Sequence, residues 1–283
     1  MYLDKYKIKG TINNDQSPCF GIDESYLNFQ EELKEFKYNL ISMVDNKENK
    51  SFYKFGDGDY YFLKGQSVGS ASVGKRALGK SYNQINHKDF TDGAMLNDFY
   101  TCEIYPNNRK LFKEVLSNVK IDYPAEYGYG LVANKWFFKT FKGRIGLIGA
   151  DIKIEIIKNL MTKIEYQEYL GLEKFNDYIK IPQKFSCDDL DNTEKIISEQ
   201  LKNSNSDIFL LGIGHVKSGL LYRLKKYKKA IYLDVGSGID AIAGIIDVDR
   251  PFFGDWTNYK LKEFNYNNVD YLAYKGRGKR VIL

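Results

Sequence analysis

Residues 52–62 read FYKFGDGDYYF, and the rest of the chain is interpreted from this stretch. The aromatic and apolar run Ser51 to Phe55 is typical of a buried strand, and it stops at Gly56-Asp57-Gly58-Asp59. Glycine lets a ligand approach the main chain, and carboxylates are the oxygen ligands that Mg²⁺ or Mn²⁺ prefers. The stretch therefore predicts a metal-binding strand end. An ordinary turn is the alternative, because turns prefer the same residues.

The composition favours a folded protein. Of the 283 residues, 43% are hydrophobic and 15% aromatic, which argues against disorder. We interpret residues 1–283 as a single domain with a helical N-terminal portion (1–50), a ligand-binding core (51–250) and a C-terminal extension (251–283). The net charge is +5, but acidic residues are interspersed among the basic ones along the chain. Because this pattern gives no general basic surface, we expect no nucleic-acid partner.

The cysteine and histidine content argues against several kinds of site. The three cysteines are far apart and lack Cys-x-x-Cys spacing, which argues against a structural zinc and a disulfide framework. With two histidines, a histidine-based metal site is not expected. The N-terminus is too polar for a secretory signal, and no apolar run approaches the roughly 20 residues of a transmembrane helix. We therefore expect a cytoplasmic protein with no transmembrane segment.

The first half of the chain is predicted to be mainly helical around the opening strand. Apolar residues between Asp23 and Val44 have near-helical spacing, which predicts a helix covering the core. Further helices are expected over Asp89–Tyr100 and Asn107–Val119. The aromatic cluster between Trp136 and Phe141 is expected to be core.

A glycine-rich stretch, Gly65 to Lys80, follows the opening strand end. Such a segment is predicted to be a flexible loop that folds over a ligand, with Lys75 and Arg76 reaching a phosphate. A surface loop with solvated lysines explains the same composition.

From Arg144 onward, predicted strands alternate with predicted helices. The strands are 144–149, 178–181, 207–211 and 230–234, and the helices are 151–161, 193–202 and 215–225. This alternation implies right-handed crossovers between parallel strands. We therefore predict an α/β fold with a Rossmann-like, mostly parallel sheet flanked by helices.

Glycine turns follow four of the predicted strands, at Gly56–Asp59, Gly149–Asp151, Gly212–His215 and Asp234–Asp240. Ligands of such sheets bind at the carboxyl ends of the strands, where helix N-termini gather. We expect the four turns to form one crevice, although each is also explained as a tight turn without a ligand. The glycines predicted to contact the ligand are Gly56, Gly58, Gly212, Gly214, Gly236 and Gly238.

Three blocks between Phe52 and Ile245 resemble the GT-D glycosyltransferases. They are the strand end FGDGD, the strand-turn-helix LLGIGHVKSGLL and the segment AIYLDVGSGIDAI. The resemblance implies that Asp57 and Asp59 engage Mn²⁺ or Mg²⁺ and the diphosphate of a nucleotide-sugar donor, with a UDP-sugar favoured. This chain has Asp59 where the family usually has Glu, and Lys54 where Arg is common. The shorter side chain of Asp59 would change the geometry of metal coordination.

The chemistry that the resemblance implies is sugar transfer to a glycan or glycoprotein acceptor in surface polysaccharide or glycoprotein synthesis. The departing diphosphate gains negative charge, which a metal at Asp59, helix N-termini and Lys75 or Arg76 would stabilise. In an inverting reaction, a base must also take the proton of the acceptor hydroxyl. The candidates for this base, in order of preference, are Asp240, Asp234 and His215.

Two other functions are compatible with parts of the sequence. Asp234-Val235-Gly236-Ser237-Gly238 is similar to the glycine turn with which methyltransferases hold S-adenosylmethionine. That turn normally follows the first strand, whereas only 45 residues follow Gly238 here. A non-catalytic nucleotide- or carbohydrate-binding protein is the second alternative. The basic segment 274–283 predicts either peripheral contact with a membrane or a solvated tail.

Overall fold

A computed structural model describes residues 29–65, 85–183, 186–245, 256–269 and 280–283. Within these ranges the main sheet contains β1 (Lys50–Phe55), β2 (Phe99–Cys102), β3 (Tyr123–Pro124), β4 (Ile145–Ala150), β5 (Asp177–Ile181), β6 (Ile208–Gly212) and β7 (Ile231–Asp234). The strand order is β3-β2-β1-β7-β6-β4-β5, and every pair is parallel. This sheet confirms the predicted α/β fold class.

Helices connect the strands and cover the sheet. They are α1 (Phe29–Asp45), α2 (Asp57–Leu63), α3 (His87–Ala94), α4 (Pro106–Val115), α5 (Ala125–Ala133), α6 (Trp136–Thr140), α7 (Asp151–Leu160), α8 (Ile164–Leu170), α9 (Leu190–Leu201), α10 (Lys217–Leu220) and α11 (Gly238–Ile242). Short 3₁₀ turns flank α10 at Gly214–Val216 and Leu221–Lys226, and another spans Tyr266–Val269. A separate two-stranded parallel sheet pairs β8 (Asn258–Lys260) with β9 (Arg280–Ile282).

Hydrophobic packing on both faces of the sheet explains why β4 and β6 are continuously apolar. In β1, the side chain of Phe52 joins the core under α1, whereas those of Tyr53 and Phe55 join a second core on the opposite face. The predicted aromatic cluster, Trp136 to Phe141, contributes four buried rings to the first of these cores. Its assignment as core is confirmed.

The helix predicted over Asp89–Tyr100 is correct only in its first half. The helix α3 ends at Ala94, and Phe99 begins the strand β2. The buried Asn97 amide donates to the Ala94 carbonyl oxygen at 3.0 Å and so satisfies a group that the helix leaves open at its C-terminus. Phe99 then pairs with Phe52 of β1, and their rings stack at 4.5 Å. The pairing of β2 with β1 therefore outweighs the helical spacing of apolar residues that predicted a helix as far as Tyr100.

The other predicted elements agree with the structure to within a few residues. The helix expected over Asn107–Val119 is α4, which begins at Pro106, a residue that suits the first helical position. The segment 215–225 is less regular than predicted, because α10 spans only four residues between 3₁₀ turns. The elements that the sequence analysis did not predict are α2, β2, β3, α5, α6, α8, α11, β8 and β9.

Several predictions fall outside the described residues. These include Lys75 and Arg76, the start of the first helix before Phe29, and most of the basic segment 274–283. The division into 1–50, 51–250 and 251–283 stays a prediction. In the described part of the chain, no helix combines the length and the apolar character needed to cross a membrane.

Candidate active site

Four neighbouring strands bring the predicted turns to one edge of the sheet. β1, β7, β6 and β4 are adjacent in that order, and because they are parallel, their carboxyl ends lie side by side. Chain order also changes direction here, since β2 and β3 lie on one side of β1 and all later strands lie on the other. Open α/β sheets bind their ligands at such a switch point.

Asp57 and Asp59 lie in the first turn of the helix α2, and not in the turn that the sequence predicted. The Asp59 carboxylate accepts a hydrogen bond from the Gly56 backbone N–H at 2.8 Å, which satisfies the open start of the helix. Asp57 is exposed and accepts from the Gly58 N–H at 2.7 Å. The two carboxylates therefore have different environments, one buried and one in solvent.

The centre of the site is a buried lysine between two carboxylates. Lys217 Nζ lies 3.0 Å from Asp59 Oδ2 and 2.9 Å from Asp234 Oδ2. It also donates to the backbone carbonyl of Lys54 and lies 4.9 Å from the centre of the Tyr53 ring. The side chains of this Asp59–Lys217–Asp234 triad are 2–7% exposed. Through these contacts, Lys217 in the helix after β6 connects the C-terminal ends of β1 and β7.

The charges of the triad stabilise one another against the cost of burial. Burial acts to lower the pKa of Lys217, but the charges of Asp234 and Asp59 outweigh it and raise that pKa. Burial acts to raise the pKa of the Asp59 carboxyl, yet Lys217 and His215 hold it below its usual range. Asp59 and Lys217 are therefore both charged at neutral pH.

His215 lies beside the triad at the turn after β6. Its Nδ1 atom is 3.5 Å from Asp59 Oδ1, and its ring stacks on Phe62 at 4.8 Å with an angle of 13° between the planes. A side chain on Gly58 would lie 3.4 Å from the His215 ring. The imidazole is 18% exposed, so it is more accessible than the members of the triad.

The remaining predicted acids have partners of their own. Asp234 accepts from the Gly236 N–H at 2.9 Å through the oxygen that does not face Lys217. Asp240, which was the preferred base, pairs with Lys153 Nζ at 2.6 Å. The structure thus brings Asp59, Asp234 and His215 together around Lys217 and places Asp240 in a separate ion pair.

The glycines of the turns serve different structural purposes. A Cβ atom on Gly212 would lie 2.7 Å from Ile239, and one on Gly238 would lie 3.0 Å from Val235, so these two positions require a small residue for packing. Gly236 has a positive φ of 49°, which favours glycine. Direct contact of these glycines with a ligand stays a prediction.

The arrangement of the described residues does not fit a metal ion between Asp57 and Asp59. The oxygens of Asp59 face the Gly56 N–H, Lys217 and His215, while Asp57 lies in solvent. Among the residues that the structure describes, no three His, Cys, Asp or Glu side chains are grouped to hold a metal. Binding of Mn²⁺ or Mg²⁺ stays a prediction, and no step below depends on it.

Sequence analysis did not identify two buried charged or titratable residues. One is Lys217, and the other is Glu126, which follows β3 on the side of β1 away from β7. Glu126 is 1% exposed and accepts from the Ile104 N–H at 3.0 Å. Burial, reinforced by the charge of Glu103, raises the pKa of Glu126 to about 8. The available signal for Lys217 was a lysine among the small and apolar residues of HVKSGLL.

Comparisons with known proteins give similarities to two solved structures. No family model matches the sequence, and no curated protein matches it. A new glycosyltransferase (DUF1792) from Streptococcus sanguinis has a TM-score of 0.49 and 12% identity, covering 86% of this chain and 97% of that one. A selenomethionine-substituted domain of unknown function 1792 has a TM-score of 0.48 and 13% identity, covering 89% and 92%. Similarity at this level leaves function to be argued from the site.

Proposed function

We propose that this chain is a glycosyltransferase that moves a sugar from a nucleotide-diphosphate donor, preferably a UDP-sugar, to a hydroxyl of a glycan or glycoprotein. One observation carries the proposal: the three blocks that resemble GT-D enzymes supply the members of one cluster. Asp59 comes from FGDGD, His215 and Lys217 from LLGIGHVKSGLL, and Asp234 from AIYLDVGSGIDAI. This cluster lies at the switch point between β1 and β7, where such folds bind ligands.

The reaction breaks the bond between sugar C1 and the diphosphate oxygen and forms a bond from C1 to the acceptor oxygen. In an inverting reaction, a base takes the acceptor proton. We assign this role to His215, because Asp234 is held by Lys217 and Asp240 by Lys153. With Nδ1 directed at Asp59, the imidazole can accept the proton at Nε2, and the Asp59 carboxylate then stabilises the imidazolium.

Lys217 acts as a positioning residue in this proposal. It is almost inaccessible and is already bonded to three oxygens, so it does not reach a substrate directly. Its charge fixes the Asp59 carboxylate in the orientation that faces His215. A fixed carboxylate costs no reorganisation when the imidazole becomes charged.

Other parts of the prediction depend on the resemblance. A divalent ion near Asp57, a surface polysaccharide or glycoprotein as product, a cytoplasmic location and peripheral membrane contact of the C-terminus all belong to the proposal. Because the glycine turn after Asp234 is similar to that of methyltransferases, S-adenosylmethionine is also tested as a ligand. β7, which precedes that turn, is the last strand of the main sheet in the described residues.

The proposal is tested with the purified chain and a panel of UDP-, GDP- and CMP-sugars. Hydrolysis of the donor by water reports on bond cleavage when the acceptor is unknown. We expect one donor to be cleaved, with His215→Gln slower and the matched variant Asp240→Asn close to wild type. Thermal stabilisation by a nucleoside diphosphate accompanies binding. Stabilisation by S-adenosylmethionine alone would identify a methyltransferase and refute the proposal.

A further inference from the structure

Lys54 contributes a second ammonium group at the switch point, and its surroundings differ from those of Lys217. Its ammonium forms no hydrogen bond and no ion pair within 4.0 Å to any described residue. The ammonium lies over the Tyr129 ring, 5.3 Å from its centre. Lys217, by contrast, contacts two carboxylates and a carbonyl. Lys54 therefore has hydrogen-bond donors to offer to a ligand.

The Lys54 side chain lies over the glycine turns that follow β1 and β7. A Cβ atom on Gly56 would lie 3.2 Å from Lys54 Nζ, and one on Gly236 would lie 3.4 Å from its Cδ atom. The absence of side chains at both glycines leaves room for the lysine at the edge of the sheet. Its ammonium is consequently at the crevice where open α/β sheets bind ligands.

The ammonium of Lys54 is charged in this environment. Burial acts to lower the pKa of Lys54, but Tyr129, Glu103 and the carboxylates of the triad outweigh it and raise that pKa. A partly buried cation without a direct counter-ion favours an anion that can supply several oxygens. Phosphate groups have this character.

We propose that the Lys54 ammonium binds the diphosphate oxygens of the donor and stabilises the charge that develops there as the sugar leaves. This inference rests on the proposed function, because it identifies the diphosphate as that of the nucleotide sugar. It assigns Lys54 to the leaving group, His215 to the acceptor proton and Lys217 to the orientation of Asp59. Lys54 then contacts the substrate, while Lys217 does not.

The test compares the binding of UDP, pyrophosphate and uridine to wild type, Lys54→Met and Lys54→Arg by calorimetry. Lys135→Met is the matched control, because Lys135 is also partly buried over a tyrosine ring, at 3.9 Å from the centre of Tyr169. We expect Lys54→Met to weaken UDP and pyrophosphate by about 10- to 100-fold, the range for hydrogen bonds to charged groups. Uridine binding should not change, and Lys54→Arg should bind UDP within a few-fold of wild type.

The outcomes separate this inference from the proposed function. If wild type binds UDP and Lys54→Met binds it equally well, the inference is wrong and the proposed function stands. An equal loss of uridine and UDP binding would indicate a general disturbance of the site and would also overturn the inference. If wild type binds no nucleoside diphosphate, both the inference about Lys54 and the proposed function are wrong. Unfolding curves of Lys54→Met without ligand show that the variant is folded, and they should show a loss of stability, because the charges that raise the pKa of Lys54 also stabilise the folded protein.

Discussion

Replacement of Lys217 by methionine tests whether the Asp59–Lys217–Asp234 triad holds the site together. Methionine has a similar length, so the change removes the charge and keeps most of the volume. Both carboxylates then remain buried, at 6% and 2% exposure, without the cation that lies about 3 Å from each. Removal of one partner from a buried ion pair costs about 3–5 kcal/mol, because the remaining charge is uncompensated. We expect a loss in this range from a total of about 5–15 kcal/mol.

The loss should depend on pH, and the sign follows from Asp59. In wild type, the lowered pKa of Asp59 gives stability that is present at neutral pH and is lost as pH falls through that pKa. Without Lys217, burial raises the pKa, so the variant loses stability as pH rises above the unfolded value of about 3.9. The difference between wild type and Lys217→Met should therefore be largest at pH 7 and smaller at pH 5.

Urea unfolding followed by circular dichroism at pH 7 and pH 5 measures these differences. The matched control is Lys153→Met, which removes a lysine from the ion pair with Asp240, where both side chains are more exposed, and which should therefore cost less. The double variant Lys217→Met/Asp234→Asn should recover part of the lost stability, since it leaves one buried charge instead of two. A loss below about 1 kcal/mol at pH 7, the value of an exposed pair, would refute the reasoning. So would a loss that is equal at both pH values.

Five further substitutions test individual residues. His215→Gln should slow donor cleavage by about 10²- to 10⁴-fold, the contribution of a positioned base, while an unchanged rate would exclude this histidine as the base. Because burial raises the pKa of Glu126 to about 8, wild-type stability should fall between about pH 4.5 and 8. Urea unfolding of Glu126→Gln should lack that slope. Gly93→Ala places a Cβ atom 2.5 Å from a backbone carbonyl oxygen of α10, so it should cost about 1–3 kcal/mol. Gly128→Ala, with its nearest contact at 3.8 Å, should instead stabilise its helix by about 0.5–1 kcal/mol. Asp57→Asn should abolish any stimulation of donor cleavage by Mn²⁺. Equal stimulation of wild type and Asp57→Asn would show that the ion does not bind at Asp57.

The strands β4 and β6 could be predicted because each is continuously apolar and ends at or beside a glycine. RIGLIG and the run before Gly212 correspond closely to β4 and β6, whose side chains are buried on both faces. β2 and β3 could not be predicted in the same way, because they span four and two residues. The conformation of β2 depends on pairing with β1, as the stacking of Phe99 on Phe52 shows, and that of β3 depends on pairing with β2. Such pairing is not visible in a local pattern.

Asp59, Asp234 and His215 were predictable as members of the site, whereas Lys217 was not. Asp234 ends β7 and Asp59 lies four residues after the end of β1, at the edge of the sheet where such folds bind ligands. Lys217 follows a glycine turn in a short helix, a position at which lysine is usually solvated. It is buried because the strand order places β7, and beyond it β1, beside the strand β6 that precedes it. Strand order cannot be derived from the spacing of residues along the chain.

The charges at the switch point indicate how the two lysines divide their roles. Asp59 and Asp234 contribute two negative charges, and Lys217 neutralises one of them within the triad while contacting both. Lys54 lies farther from these acids and retains donors for a ligand. A nucleoside diphosphate carries more than one negative charge, so a single ammonium does not neutralise it. The remaining charge requires another cation, which is the electrostatic reason for testing Mn²⁺ with the Asp57 variant even though Asp59 is already engaged.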